Sequence, residues 1–413
     1  MNISVLTLIV VFLLIAVRQV GNIKVQIWQA MLGGAVVVIL TGQIPLDVAW
    51  RAINFDVMLF LFGMFVIGQA LEESGYLSHL SYKYFKRATT IDGLMLMVLF
   101  GAGFASAFLM NDTLAIVGTP VVLLLAKKHR MPPKTLLLAL CFAVTIGSVM
   151  SPIGNPQNLL IALNGNIGSP FVTFFRWLFL PTVLNLGLCH VMLKRFYPKD
   201  FHNAGLKHSQ EPIRDKSLAF LARVALHVVL IFIGLKILNV VLALNVDFRL
   251  TTIAFAGALP ILVGSKRRME ILRRIDWHTL AFFAAMFVLM ESVWRSGFFQ
   301  GVLARMDFPI TSIEMILAVS TILSQCISNV PLVALYQPVL MHAGATVREL
   351  MALAAGSTIA GNMLILGAAS NIIVIQNAER KSRETITFLE FAKIGIPLTL
   401  LNLLVYWLFF LIL

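Results

Sequence analysis

Apolar runs of about 15–20 residues recur along the whole chain, and they restrict its fold more than any other feature. An α-helix of this length and polarity can cross a bilayer. Of the 413 residues, 59% are hydrophobic and 12% are charged, whereas soluble domains carry about 25% charged residues. The pattern predicts an all-α polytopic membrane protein with about ten transmembrane helices. The predicted spans cover residues 3–17, 27–41, 57–74, 135–163, 172–192, 218–243, 250–264, 278–297, 349–378 and 394–411.

Two further apolar stretches, 93–126 and 311–341, are interrupted by polar residues near the middle. After the first interruption, Thr113–Ala126 would form a helix of only about 21 Å, which is short of a hydrocarbon core of about 30 Å. We therefore interpret both stretches as re-entrant hairpins that return to the side they entered from. Most of the 32 Lys and Arg then fall in loops on one side, which the positive-inside rule assigns to the cytoplasm, and both termini lie outside.

A hydrophilic loop at 194–217, predicted to be a cytoplasmic linker, divides the chain into the halves 1–193 and 218–413. Each half contains five predicted spans and one hairpin, and an odd number of spans inverts one half relative to the other. Short matches occur in the same order in both halves. Met64, Asn111, Pro120, Thr145, Gly154 and Asn158 match Met286, Asn329, Pro338, Thr358, Gly367 and Asn371. The matches predict two inverted-topology repeats, a recurrent design of secondary transporters.

Two of the predicted spans, 135–163 and 349–378, contain residues that interrupt a helix. Ser151–Asn158 holds two prolines, a glycine and three amide side chains, and Gly367–Asn371 is small or polar throughout. A broken membrane helix frees backbone groups that are tolerated only beside protein or a cavity, so it points to a binding site. The alternatives are a simple proline kink in the first and small-residue helix packing in the second. The binding residues predicted here are Gly154, Asn155, Asn158, Gly367, Ser370 and Asn371.

The tips of the two hairpins carry the other candidate binding residues. The first tip is Asn111, Asp112 and Thr113, and the second offers Ser328 and Asn329. An ionisable residue inside a membrane segment is costly and usually functional, so Asp112 is predicted to carry the coupling proton or to ligate a cation. It could instead, or in addition, cap the second arm of the hairpin. The second tip has no carboxylate, so charge chemistry is expected in the first half alone.

Several classes of function are disfavoured by composition. The net charge of +13 is accounted for by the cytoplasmic loops, and we predict no nucleic-acid partner. Cys141, Cys189 and Cys326 form no paired-thiol motif, and no Walker-type loop occurs. We therefore predict no metal site, no cofactor other than a coupling H⁺ or Na⁺, and no enzymatic activity.

These motifs resemble those of the ion transporter superfamily, which includes arsenical-pump permeases, NhaD-type Na⁺/H⁺ antiporters, and citrate and dicarboxylate/sulfate carriers. The residues that carry the resemblance are Glu72–Gly75, Asn111–Thr113, Gly154–Asn158, Ser328–Pro331 and Gly367–Asn371. The resemblance implies an elevator-type transporter with paired hairpins and broken helices, usually a homodimer. The Asn111-Asp112 tip is most similar to the arsenite-efflux branch, whereas Gly154–Asn158 is more similar to general anion permeases.

Three functions follow as hypotheses. The first is proton-coupled export of arsenite or antimonite, in which Asn, Ser and Thr bind the hydroxyls of the neutral acid and Cys326 adds a soft contact. The second is Na⁺/H⁺ antiport through Asp112. The third is transport of an anion such as sulfate, a dicarboxylate or citrate. The expected partners are a small ion, membrane lipid, a second copy of the chain and, for an arsenical pump, a soluble ATPase. The expected location is the plasma membrane of a bacterium or archaeon.

Overall fold

The computed structural model describes residues 3–17, 19–20, 23–24, 26–201, 213–242, 249–298, 310–327 and 329–412. The helices are α1 (Ile3–Val17), α2 (Ile27–Leu40), α3 (Leu46–Ala52), α4 (Phe55–Ser74), α5 (Tyr76–Phe85), α6 (Ile91–Leu109), α7 (Asn111–His129), α8 (Pro133–Ser148), α9 (Pro156–Asn164), α10 (Pro170–Phe196), α11 (Lys216–Val241), α12 (Leu250–Gly264), α13 (Arg268–Arg274), α14 (Trp277–Arg295), α15 (Ile313–Ile327), α16 (Asn329–His342), α17 (Val347–Ile359), α18 (Ala369–Ser382) and α19 (Phe388–Ile412). Three 3₁₀ turns cover Pro198–Asp200, Ala360–Asn362 and Ile365–Gly367. The strands Gln19–Val20 and Ile23–Lys24 pair antiparallel.

Six of the described helices are long and apolar enough to cross a membrane, as a polytopic membrane protein requires. They are α4, α6, α10, α11, α14 and α19. Five of these coincide with predicted spans, and α6 is the first arm of the first predicted hairpin. The prediction of about ten spans therefore divides into five long helices, three shorter ones (α1, α2 and α12) and two interrupted ones. The interrupted spans are α8–α9 and α17–α18, which break where Ser151–Asn158 and Gly367–Asn371 occur in the sequence.

The first hairpin consists of α6 and α7, and both of its ends lie at the carboxyl end of α10. At the start of α6, Lys194 donates to Asp92 over 2.6 Å. Just beyond the end of α7, Thr135 at the start of α8 donates to Asp200 in the turn that follows α10. Both ends of the α6–α7 pair therefore contact the same end of α10, which is the arrangement that a re-entrant hairpin requires.

The second hairpin, α15 and α16, has the same relation to α19. Trp407 near the end of α19 donates its indole N–H to Glu314 at the start of α15, at 2.9 Å. Arg348 follows α16 and donates to the backbone oxygen of Phe410, also near the end of α19. The two hairpins are therefore anchored in equivalent ways to the last helix of their own half.

One part of the reasoning about the first hairpin was wrong. We expected its returning arm to be too short to span a bilayer, but α7 begins at Asn111 and continues through 19 residues to His129. Its length is about 28 Å, because Lys127 and Lys128 extend the helix beyond the apolar stretch. The evidence for the hairpin is the position of its two ends at α10, and the length of its returning arm provides none.

Equivalent positions in the two halves carry equivalent local structure. Asn54 caps α4 by accepting from the Val57 N–H, and Asp276 caps α14 by accepting from the Thr279 N–H. Gly75 and Gly297, which follow these helices, both take positive φ angles, of 71° and 69°. Thr90 and Ser312 accept N–H bonds at the starts of α6 and α15. The order of long helix, hairpin, broken helix and final helix is the same in both halves.

Three short helices, α3, α5 and α13, were not predicted. Each lies in a segment that we had assigned to a loop, between residues 42 and 56, 75 and 92, or 265 and 277. They were missed because seven to ten residues give too few turns for a periodic apolar pattern. Their role is to join the spans along the surface of the bundle.

The first hairpin crosses its broken helix at a glycine. A Cβ on Gly147 would overlap the backbone oxygen of Gly103, so α6 and α8 pack backbone against backbone. Gly147→Ala should therefore destabilise the protein by about 1–3 kcal/mol through overpacking, which thermal unfolding in detergent would detect. The matched control is Gly187→Ala in α10, where a Cβ meets nothing within 4 Å. An equal effect of both substitutions would contradict the close crossing.

Candidate functional site

The first break is the turn between α8 and α9, and its own amide side chains satisfy it. Asn155 caps α9 by accepting the Asn158 N–H at 2.8 Å. The Asn158 amide nitrogen lies 3.1 Å from the Ser148 oxygen, 3.2 Å from the Val149 oxygen and 3.0 Å from the Ser151 oxygen. These are backbone carbonyls that lose helical partners at a break. One buried side chain therefore replaces the missing helical hydrogen bonds.

The tip of the first hairpin contacts this break directly. The Asn111 N–H donates to the Gly154 oxygen at 2.8 Å. Met110, the residue at the tip, is buried. Its backbone angles, a φ of 65° and a ψ of 143°, are rare for a residue other than glycine. Gly154 has no room for a Cβ, which would overlap the Ser148 backbone. The backbone of the tip is thus fixed against the backbone of the break.

A threonine from the other half completes the first break. The Thr358 hydroxyl on α17 accepts from Asn155 at 3.3 Å and from Gln157 at 3.4 Å. It lies 3.3 Å from the Asn158 amide oxygen, to which it donates. All four residues are at most 2% exposed. The polar groups around the first break are therefore paired with one another.

The second break, between α17 and α18, is built around Gly361. Asn371 donates to the Gly361 oxygen at 2.7 Å, and Gln325 on α15 donates to the Ala360 oxygen at 2.8 Å. A Cβ on Gly361 would lie 3.3 Å from Thr145 Cγ2 and 3.5 Å from Asn329 Nδ2. The second hairpin, α8 and both parts of the second broken helix therefore meet at this glycine.

Polar atoms at the second break have no partner. Among the residues that the structure describes, the buried atoms without a hydrogen bond include Thr145 Oγ1, Gln325 Oε1, Asn329 Oδ1, Ser370 Oγ, Asn371 Oδ1 and both amide atoms of Asn362. We call these six residues the open polar cluster. Because an unpaired buried polar atom costs about 1–3 kcal/mol, such a group of atoms indicates a place for water, an ion or a solute.

The difference between the breaks follows from three substitutions in the repeat. Asn155, Pro156 and Gln157 in the first break correspond to Ala368, Ala369 and Ser370 in the second. Thr145 corresponds to Thr358, but its hydroxyl has no hydrogen-bond partner among the described residues. The first break is filled by its own side chains, and the second is left open.

The predicted site residues separate into two groups. Asn111, Gly154, Asn155 and Asn158 form the first break and its tip, whereas Asn329, Gly367, Ser370 and Asn371 belong to the second. Ser328 lies outside the described residues, as does the side chain of Cys326. Sequence reasoning gave no role to Thr145, Gln157, Gln325, Asn362 and Thr358. The repeat match between Thr145 and Thr358 was a signal for two of them.

Asp112 and Thr113 lie beside a separate cleft. Asp112, on the first turn of α7, is partly buried and within electrostatic range of Asp276. Thr113 packs against Gly68 of α4. The cleft has a volume of about 50 Å³. It is lined by Phe65, Gly68, Gln69, Glu72, Thr113, Ile116, Val117, Arg274, Ile275 and Asp276. In the predicted orientation this cleft opens toward the cytoplasm.

Neither thiol chemistry nor a carboxylate metal site is evident in the part of the chain that the structure describes. No group of three or more His, Cys, Asp or Glu could hold a metal ion there. Cys141 in α8 and Cys189 in α10 are buried free thiols. The chemistry that the two breaks and the two tips offer is hydrogen bonding by amides and hydroxyls, with one carboxylate at the first tip.

Comparison with known proteins identifies the group to which this architecture belongs. The profile of the Citrate transporter family (CitMHS) matches residues 9–349. The silicon efflux transporter LSI3 of Oryza sativa is 27% identical over 89% of this chain and 88% of its own. An uncharacterized transporter of Mycobacterium tuberculosis is 28% identical over 97% of this chain and 96% of its own.

A solved structure has the same fold. The crystal structure of the Alcanivorax borkumensis YdaH transporter superimposes with a TM-score of 0.57 over 99% of this chain and 97% of that one, at 16% identity. The family and the relatives are membrane transporters. The chain therefore belongs to the Citrate transporter family, within the ion transporter superfamily that its motifs resemble.

Proposed function

We propose that this protein is a proton-coupled secondary transporter that exports a small uncharged hydroxylated acid, arsenite or antimonite in its neutral form, across the plasma membrane. The observation that carries the proposal is the open polar cluster, which consists only of amide and hydroxyl side chains. Amide oxygens accept hydrogen bonds from the O–H groups of such an acid, and hydroxyls both donate and accept.

The charge of the site favours a neutral solute over an anion. No Lys, Arg or His occurs in 148–158, 358–371 or either hairpin tip. A desolvated anion without a cationic partner would be costly to hold there. A relative that is named a silicon efflux transporter supports the same class of solute, because silicic acid and arsenous acid are both neutral and present hydroxyls.

Two alternatives use the same residues. Amide and hydroxyl oxygens also suit Na⁺, which would make the protein a Na⁺/H⁺ antiporter with Asp112 binding cation and proton in turn. The family name suggests an anion such as citrate, a dicarboxylate or sulfate, which would need a bound cation to offset its charge. Both alternatives require a cation at the site, so they predict Na⁺-dependent transport.

The arrangement of the ion pairs supports the predicted orientation. Asp92 pairs with Lys194 and Asp215 pairs with Arg267, and all four residues belong to segments assigned to the cytoplasm. Asp56 pairs with Arg249, and both belong to segments assigned to the outside. Together with the equivalent caps and anchored hairpins, these pairs support two inverted repeats. An elevator-type movement in a homodimer is part of the proposal and is implied by the resemblance to the superfamily.

The transported solute can be identified by measuring flux in proteoliposomes with arsenite, Na⁺, sulfate and citrate side by side under an imposed pH gradient. We expect arsenite flux that depends on the proton gradient and not on Na⁺. A variant with Cys141, Cys189 and Cys326 replaced by Ala should retain it, because recognition is by hydrogen bonds. Flux of citrate or Na⁺ without arsenite, or loss of all arsenite flux in the variant without cysteines, would contradict the proposal.

Asp112 is proposed to carry the coupling proton. Asp112→Asn keeps the size of the side chain but removes its titratable group, so solute-driven proton flux should be lost while solute binding remains. The measurement is proton movement in proteoliposomes after addition of solute. Asp47→Asn, which alters a surface carboxylate on α3, is the matched control and should leave coupling intact. Unchanged coupling in Asp112→Asn would show that Asp112 does not carry the coupling proton.

Equivalent asparagines in the two breaks should behave differently. Asn158→Ala removes three hydrogen bonds to buried carbonyls and should cost about 3 kcal/mol of stability. Asn371→Ala loses one hydrogen bond and should cost about 1 kcal/mol, but it should weaken solute binding at least about fivefold. Thermal unfolding and equilibrium binding to the purified protein would separate these effects. Equal stability losses, or undiminished solute affinity in Asn371→Ala, would contradict the assignment of the two breaks.

A further inference from the structure

The short helix α13 carries two sets of cations with different surroundings. It joins α12 to α14 and has the sequence Arg268–Arg274, preceded by Lys266 and Arg267. Ile271 and Ile275 are buried against the bundle, with exposures of 1% and 5%. The remaining faces present basic residues, and their partners decide which of them are available to bind something else.

The cations of one set, Arg267 and Arg274, form ion pairs with carboxylates of the same chain. Arg267 donates to Glu73 at 3.2 Å, to Asp215 at 3.4 Å and to Glu270 at 2.8 Å. Arg274 pairs with Glu73 and, at 3.1 Å, with Glu270. The hydrogen bond from Arg267 holds the pKa of Glu270 below its usual range, so the Glu270 carboxylate stays ionised at neutral pH. This set fixes α13 to the end of α4 and to the start of α11.

The other set is exposed and has no acidic partner in the described residues. Besides Arg268, which donates to the Val263 oxygen at 3.5 Å, it consists of Lys266 in the turn before α13 and Arg273, which lies one helical turn after Met269. Met269 is 60% exposed, and Val263 and Trp277 at the flanking helix ends are 68% and 50% exposed. The Trp277 indole donates to the Leu272 oxygen, which holds the ring beside α13. Exposed cations and exposed apolar side chains thus alternate along residues 263–277.

We propose that this surface, formed by Val263, Lys266, Met269, Arg273 and Trp277, binds an anionic phospholipid of the cytoplasmic leaflet. The phosphate would sit between Lys266 and Arg273, and the acyl chains would lie against Val263 and Trp277. The charge is complementary to an anionic headgroup, and Trp beside basic residues is typical of the membrane interface. The proposal rests on the cytoplasmic orientation of α13, and not on which solute is transported.

The position of α13 links this lipid to transport. Arg274, Ile275 and Asp276 follow the exposed surface directly and line the cleft that Thr113 of the first hairpin also lines. A lipid held on the outer side of α13 would therefore keep the fixed wall of the cleft in place while the hairpin moves. A protein or a soluble phosphate fits less well, because the apolar members of the surface lie at the ends of membrane helices α12 and α14.

The test uses the full-length protein in a neutral detergent and measures its thermal stabilisation by added phosphatidylglycerol. Lys266→Gln with Arg273→Gln should raise the phosphatidylglycerol concentration needed for half-maximal stabilisation roughly thirtyfold, because each cation contributes roughly fivefold at an anionic surface. Both side chains are exposed, so the double variant should fold normally. Phosphatidylcholine should stabilise the protein and the variant equally.

The control is Lys86→Gln with Arg195→Gln, which removes the same charge from other exposed positions of the predicted cytoplasmic face. This variant should keep the phosphatidylglycerol response of the unaltered protein. An unchanged response in the Lys266 and Arg273 variant, or an equal loss in the control, would overturn the proposal. Stabilisation by inorganic phosphate equal to that by phosphatidylglycerol would also overturn it, since the acyl chains would then contribute nothing.

Discussion

The rest of the structure depends on the hydrogen bonds that the Asn158 side chain makes at the first break. A membrane helix that stops inside the protein leaves carbonyl oxygens without partners, and no water is at hand in the hydrocarbon region to replace them. The Asn158 amide reaches three such carbonyls, and the cap provided by Asn155 starts the next helix. With these bonds in place, the chain can be interrupted without unfolding, and Asn111 at the tip of the first hairpin can attach to Gly154.

At the second break the buried polar groups are less completely hydrogen-bonded, and the unpaired amide and hydroxyl groups define the chemistry of the proposed site. Gly361 brings Thr145, Asn329 and Asn371 together, yet their oxygens have no partner among the described residues. Unpaired buried polar atoms lower the stability of the folded protein, and for this reason we propose that a solute binds beside them. The first break is therefore satisfied by its own side chains and the second keeps unpaired polar atoms, although both have the same order of elements.

Much of the architecture could be predicted from the sequence because its signals are local. Apolar runs gave the spans, polar interruptions gave the hairpins, and Pro156 and Gly367 marked the breaks. The predicted length of α7 was too short, because charged residues can extend a helix beyond its apolar stretch. The helices α3, α5 and α13 were too short to produce a periodic pattern.

The distribution of roles between the two breaks could not be predicted in this way. Ser151–Asn158 has the richer set of polar residues, and the sequence predicted that both broken helices contribute binding residues. Its side chains are instead used to satisfy one another and Thr358, a contact between residues 200 positions apart in the chain. Tertiary contacts decide which polar residues are hydrogen-bonded within the protein and which are left unpaired. Composition alone could not reveal these contacts.

The most direct test of this account is a structure determined with an electron-rich solute bound, for which antimonite is suited by its heavy atom. We expect the antimony to lie within hydrogen-bonding reach, through its oxygens, of Thr145, Asn329 and Asn371 beside Gly361. Antimony at the first break between Asn155 and Asn158, or in the charged cleft beside Asp276, would contradict the claim that the second break is the open one.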